Sequence, residues 1–279
     1  VSDPINLDFL TDPGDPLLAG KSLAVSFHVT GDSGPMTYHA KALQTSYLSK
    51  QGSLPVSQSE DETAFPYSTT SWFFLDALYM NMTTPTKVIV VFGDSISDGS
   101  GSSINGFDRW PDVVARRLHA KFGNSASMVN QGIGGNQIIG PSDDTSPADH
   151  LGGIPALARL ERDVVNMMGV STVIWLEGIN DLGFTDATAA DIIGGIRTGV
   201  TKMRQVIPNL RIIGATLTTA LNASTAGHGR EAVDTHRRAF NAFIRSTDIF
   251  DGIIDFDAAT VDETTGELRP EMVPNTCIG

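Results

Sequence analysis

From about residue 86, short apolar runs alternate with segments whose apolar residues recur every three to four positions. No other feature of the chain restricts its fold as much. The runs 88–92, 127–129, 172–176, 211–216 and 253–256 have the length of strands. Between them, Trp110, Val113, Val114 and Leu118 fall at helical spacing. So do Leu157, Leu160 and Val164; then Ile192, Ile193, Ile196, Val200 and Met203; then Val233, Phe240, Phe243 and Ile244. Apolar strands alternating with amphipathic helices predict a parallel sheet covered on both faces. Such sheets bind ligands beyond the carboxyl ends of their strands, so the loops after Phe92, Val129 and Leu176 are where chemistry is expected.

Residues 1–85 have a different texture. Short apolar or alternating runs at 23–27, 36–48 and 72–79 are separated by Gly, Pro, Ser and Asp, and 51–63 is polar enough for an exposed loop. This part is expected to be a β-rich, sandwich-like accessory domain without helices, and 86–279 the α/β domain.

The three loops share a composition. Gly93-Asp94-Ser95 follows the first strand, Asn130-Gln131-Gly132-Ile133-Gly134-Gly135-Asn136 the second, and Glu177-Gly178-Ile179-Asn180-Asp181 the third. Ester hydrolysis needs a nucleophile on a tight, accessible turn, donors aimed at a tetrahedral oxyanion, and a base. Ser95 meets the first need. Gly135 offers a backbone N–H where a side chain would obstruct approach, and Asn180 offers a side-chain N–H. With the N–H of Ser95 these make a three-donor set.

Val-Phe-Gly-Asp-Ser-Ile-Ser-Asp-Gly (91–99), Asn-Gln-Gly-Ile-Gly-Gly-Asn (130–136) and Gly-Ile-Asn-Asp (178–181) resemble the first three sequence blocks of the SGNH, or GDSL, hydrolases. The resemblance runs from 86 to about 276. It implies a three-layer α/β/α fold like that of flavodoxin, Ser95 as nucleophile, and Gly135 and Asn180 as oxyanion donors. Arg109-Trp110-Pro111-Asp112 and Asp255-Phe256-Asp257 are similar to a secreted, lipase-like or carbohydrate-esterase subgroup with an added N-terminal β-domain. The implied substrate is a small-molecule or polysaccharide ester carrying acetyl or another short acyl group.

The family's last block, Asp-x-x-His, is absent. The histidines stand at 28, 39, 119, 150, 228 and 236, and none has Asp three positions before it. The chain is therefore expected to be truncated at both ends, and inactive or nearly so as it stands. A separate C-terminal fragment supplying the histidine is one alternative. A non-catalytic carbohydrate-binding or scaffolding protein on the same fold is another. His150 and His228, in loops near the top edge of the sheet, are candidate substitute bases.

Other residues have plainer expected roles. Asp94 and Asp181 cap helices and brace loops, and Asp98 starts a helix. Asp255 and Asp257 make structural hydrogen bonds, and Trp110 anchors packing. His236, Arg237 and Arg238 lie on a solvated helix face, as does the charged run from Arg159 to Asp163. Gly132 to Asn136 lacks the third glycine of a dinucleotide loop.

Composition excludes several classes. A formal net charge of −13 argues against nucleic acid and anionic membrane as partners. No apolar run approaches the roughly 20 residues that span a bilayer. The one cysteine, Cys277, forms no internal disulfide, and no metal or organic cofactor is implied. The chain opens on Val1 without a signal sequence, which suits a processed chain. Sequons at Asn81 and Asn222 suit a secreted glycoprotein.

Overall fold

The computed structural model describes residue 5 and residues 22–82, 85–140, 152–224 and 227–273. His150, Cys277 and Thr83 of the first sequon lie outside the described residues. Contacts divide the chain into two compact units, Val1–Met36 with Tyr47–Ser68, and Thr37–Ser46 with Thr69–Gly279. The residues 37–46 and 69–85 therefore cluster with the α/β layers.

Before residue 86 the strands are short: β1 (Tyr38–His39), β2 (Ser46–Leu48), β3 (Tyr67–Thr69) and β4 (Trp72–Phe73). They form two two-stranded sheets, β1 with β4 and β2 with β3. The run 23–27, expected to be a strand, is not one. Leu23, Val25 and Phe27 alternate as a strand face would, yet each is 45–50% exposed. An alternating pattern becomes a strand only against a paired neighbour, and no strand of the described residues runs beside it. A single 3₁₀ turn, Glu62–Ala64, interrupts the expected 51–63 loop.

The larger unit continues with β5 (Lys87–Gly93), α1 (Ser95–Asp98), α2 (Trp110–Phe122), β6 (Ala126–Gly132), α3 (Ala156–Leu160), β7 (Val170–Leu176), α4 (Ile179–Phe184), α5 (Ala189–Val206), β8 (Arg211–Ala215), α6 (Glu231–Ser246), β9 (Gly252–Ile254) and α7 (Phe256–Thr260). All five expected strands and all four expected helical segments are present. The helix over 157–164 widens after Leu160 into a π-helical turn, Glu161–Val165.

The sheet order is β6-β5-β7-β8-β9, every pair parallel. In order of appearance this is 2-1-3-4-5, the flavodoxin-like arrangement. The chain leaves β5 toward β6 and then crosses back to β7. Right-handed crossovers in opposite directions put α2 on one face and α3, α5 and α6 on the other, and α5 packs on both α3 and α6. The result is a three-layer α/β/α fold.

The core follows the strand and helix periodicities. Val90, Phe92, Val173, Trp175 and Ile212 from the strands meet Ile192, Ile196, Val200 and Met203 of α5 and Phe240 and Ile244 of α6, all buried. Thr188 caps α5 reciprocally with Asp191. Pro111 sits in the first turn of α2, where its missing N–H costs nothing. Among the described residues no helix is long and apolar enough to cross a membrane.

Candidate active site

The strand ends set the stage. Gly93 of β5 is level with Gly132 of β6 and Leu176 of β7. The three loops of interest therefore leave the sheet at one height, at the point where strand order reverses. Ser95, Gly135 and Asn180 all line one cleft of about 770 Å³, together with Lys41, Gln137, Phe184 and His228.

Ser95 opens α1, a single turn whose first residue is left partly exposed. Asp94 caps this turn, accepting from the Ile96 N–H at 2.9 Å, as expected. Its other oxygen, Oδ2, is buried and has no hydrogen-bond partner among the described residues. Burial, reinforced by the neighbouring Glu177 and Asp181, pushes its carboxyl up to about 8.

Asp98 does not start a helix as expected; it ends α1. Its two oxygens tie separate segments to the nucleophile turn. One accepts the Gly134 N–H at 2.8 Å, and the other lies 2.7 Å from His39 Nε2. Asn130 adds a second tie, donating to Ser97 O at 2.7 Å and accepting from the Gly132 N–H. Gly132 must be glycine here: a Cβ would lie 2.4 Å from the backbone N of Asp98. Gly135 has φ +82, in the left-handed region that favours glycine.

Asn180 is buried at its amide yet borders the cleft. Its Nδ2 donates to Asn136 O at 2.8 Å and its Oδ1 lies 3.0 Å from His228 Nε2. Asp181 braces the β6 loop as expected, accepting from the N–H groups of Ile138 and Ile139 at 2.8 and 3.0 Å. Burial raises its carboxyl above the ordinary range.

Two charged groups expected on solvated helix faces are buried instead. Arg159, at 0% exposure, stacks on Phe92 with its guanidinium 4.1 Å from the ring centre. It donates to Gly93 O, Gln131 O and Asn136 Oδ1 at 2.8–3.0 Å. Asp163, 3.1 Å away, and Glu177, 3.7 Å away, balance its charge. This arginine thus sits beneath the loops of both β5 and β6. The signal was in the sequence: Arg159 and Asp163 stand at i+3 and i+7 from Ala156, on the face of the buried Leu160 and Val164. Arg237 is the second case. Only Arg238 and the half-buried His236 of its trio face outward, while Arg237 pairs with Asp234 and Asp257 and donates to Leu217 O.

Glu177 is fully buried and accepts from Trp175 Nε1 at 2.9 Å. Desolvation outweighs Arg159 and pushes its carboxyl up to about 7. Asp255 caps α7 and, like Asp257, pairs with Arg245, a structural role as expected. Trp110 packs on Phe256 and against the core. Among the described residues no group of three or more His, Cys, Asp or Glu could hold a metal ion.

Comparison with known proteins bears on this arrangement. No curated protein matches the chain. Among solved structures, AlinE4, an SGNH-hydrolase family esterase, is 16% identical over 71% of this chain and 88% of its own, with a TM-score of 0.47. The native M. smegmatis aryl esterase is 18% identical over 66% and 89%, with a TM-score of 0.45. Est24, a carbohydrate acetylesterase from Sinorhizobium meliloti, is 15% identical over 61% and 84%, with a TM-score of 0.44. The profile of the GDSL-like lipase/acylhydrolase family matches residues 91–276, which hold all three cleft loops. The chain therefore belongs to the GDSL-like lipase/acylhydrolase family and is an enzyme of the esterase type.

Proposed function

We propose that this chain is a serine-dependent carboxylic ester hydrolase in which Ser95 is the nucleophile and the N–H groups of Ser95, Gly135 and Asn180 receive the oxyanion. The observation that carries the reading is that Ser95, Gly135 and Asn180 line one cleft at the ends of three adjacent strands. Ser95 Oγ attacks the ester carbonyl carbon, and the carbonyl oxygen becomes an oxyanion facing the donors. Collapse expels the alcohol and leaves an acyl-serine, which water then cleaves. The substrate we propose is an acetyl or other short acyl ester on carbohydrate. A cleft of about 770 Å³ in which Gly, Ala, Ser, Thr, Asn and Gln stand beside Ile96, Pro155, Ile179 and Phe184 suits a small acyl group with a hydroxyl-rich alcohol.

The Ser95 proton needs an acceptor. No Asp-x-x-His occurs in the 279 residues, and His228 Nε2 already faces Asn180. We therefore propose that this polypeptide alone turns over at a residual rate, of order 10³–10⁴ over water, from its donors and binding surface. A separate C-terminal segment bearing the histidine would restore full turnover.

Labelling with a fluorophosphonate, followed by peptide mapping, tests the reading. Strong modification of Ser95 is expected once an Asp-x-x-His segment is appended, weak modification without it, and none in Ser95→Ala. Modification at another residue, or none in either form, would refute it and favour a carbohydrate-binding role. We also propose secretion as a glycoprotein, since Asn222 of the second sequon is exposed. A mass shift on enzymatic deglycosylation of the native protein is the expected result.

A further inference from the structure

We infer that His228 is a positioning residue that fixes the side-chain amide of Asn180 so that its free N–H points to the cleft. The inference rests on the reading of Asn180 as an oxyanion donor. Asn180 Nδ2 lies 2.8 Å from Asn136 O, a carbonyl that only accepts. The amide must therefore present NH₂ on that side and its oxygen on the other. The oxygen lies 3.0 Å from His228 Nε2, and it too can only accept. So His228 Nε2 carries a proton, whether the ring is neutral or charged. One Asn180 N–H is used by Asn136, and the second remains for a ligand of the cleft that Asn180 lines.

The surroundings hold the imidazole in that orientation. Its ring stands edge-to-face on Phe184, centroids 4.4 Å apart. Gly183 brings the backbone of α4 against the ring: a Cβ there would lie 2.6 Å from His228 Cδ2 and 2.7 Å from Nε2. Gly227, at φ +90, packs so that a Cβ would lie 2.2 Å from Gly183 O. Arg230 closes the loop, donating to Gly227 O at 2.8 Å and pairing with Asp186. His228 is only 8% exposed while still bordering the cleft. A ring fixed this tightly, with Nε2 donating to the oxyanion amide, is the wrong tautomer and the wrong partner for taking the Ser95 proton through Nε2. This assigns it to Asn180 rather than to the role of substitute base.

The test pairs a spectroscopic readout with a kinetic one on the full chain. Long-range ¹H–¹⁵N NMR of the imidazole nitrogens is expected to show the Nε2–H tautomer for neutral His228. The Nδ1–H tautomer would overturn the inference whatever the activity. His228→Phe keeps the ring and removes the donor, while His228→Gln keeps an N–H near the Nε2 position. For p-nitrophenyl acetate, His228→Phe is expected to lower kcat at least tenfold with KM within twofold, and His228→Gln to recover most of the loss. Unchanged kcat in a folded His228→Phe would overturn the inference. If that variant does not fold, His228→Gln and the tautomer decide. With an Asp-x-x-His segment appended, Ser95→Ala separates the two claims: unchanged turnover in that Ser95→Ala form refutes the esterase reading, whereas its loss beside an unaffected His228→Phe refutes only the role of His228.

Discussion

Replacing Arg159 by Met should be among the most damaging single changes in the chain. Methionine keeps the length and the apolar contact with Phe92 but removes every donor. Gly93 O, Gln131 O and Asn136 Oδ1 lose partners at 2.8–3.0 Å. Each orphaned buried acceptor costs about 1–3 kcal/mol, and breaking a buried ion pair costs about 3–5 kcal/mol. The terms overlap. Asp163 is not stranded, because Arg162 also holds it at 2.5 Å. Glu177 has an escape, since its carboxyl already stands at about 7 and can take up a proton. A net loss of about 4 kcal/mol is therefore expected at pH 8, out of the 5–15 kcal/mol typical of a domain. In a melt this corresponds to about 8–16 °C.

The pH dependence is the sharper part of this prediction. Without Arg159, the Glu177 carboxyl rises further above its unfolded value. A raised carboxyl stabilises below the unfolded pKa and loses that contribution as pH climbs through the folded one. The penalty of Arg159→Met should therefore be smaller at pH 6 than at pH 8. Urea denaturation at the two pH values, followed by far-ultraviolet circular dichroism, measures both quantities. A loss under about 1.5 kcal/mol at pH 8, or an equal loss at both pH values, would show that Arg159 does not carry the loops as argued.

Three further changes probe other parts of the site. Asp94→Asn mimics a protonated carboxyl, so it should fold with near wild-type stability at pH 5. The wild type should lose stability between about pH 4 and 8 as its raised carboxyl ionises, and urea midpoints of Asp94→Asn should fall less over that range. Gly132→Ala drives a Cβ into the backbone of Asp98 and Ser97; a loss of about 1–3 kcal/mol is expected, with Ser95 labelling falling more than tenfold, read by fluorophosphonate kinetics. Arg245→Gln removes the partner that holds the Asp255 carboxyl well below the usual range. Stability from a depressed carboxyl is present above the unfolded pKa and lost as pH falls, so the acid midpoint of unfolding should move upward. An unchanged acid midpoint by circular dichroism would assign the depression to other groups.

The parts of this molecule legible in the sequence are those governed by apolar periodicity. Five parallel strands and four amphipathic helices follow from it because water exclusion depends on spacing. The cleft loops were legible because glycine, serine and asparagine cluster after each strand. Burial of Arg159 shows only in its place on the apolar face of its helix, which a count of apolar positions passes over, as it does for Arg237. Asp98 departs from its expected place for another reason: its partners His39 and Gly134 lie 59 and 36 residues away, so no local pattern marks it. The run 23–27 shows the converse. Its alternation is strand-like, but pairing is a property of two segments, and periodicity describes only one.

The support beneath the cleft is polar for a physical reason. Loops that turn sharply at strand ends leave carbonyl and N–H groups pointing inward, and buried backbone groups need partners. Apolar packing cannot supply them. A guanidinium offers five N–H donors in one plane, and Arg159 uses this breadth to reach Gly93, Gln131 and Asn136 from a single helix position. A buried cation then requires anions, which Asp163 and Glu177 provide. Burial above all, with Asp94, Asp181 and Glu177 as neighbouring carboxyls, drives Asp94 and Glu177 toward protonation. Arg159→Lys isolates the geometric part of this argument. An ammonium keeps the positive charge for Glu177 and Asp163 but has no planar span for three separate acceptors. It should recover part of the stability lost in Arg159→Met and little of the Ser95 reactivity. Equal recovery of both would mean that charge, rather than the reach of the fork, organises the site.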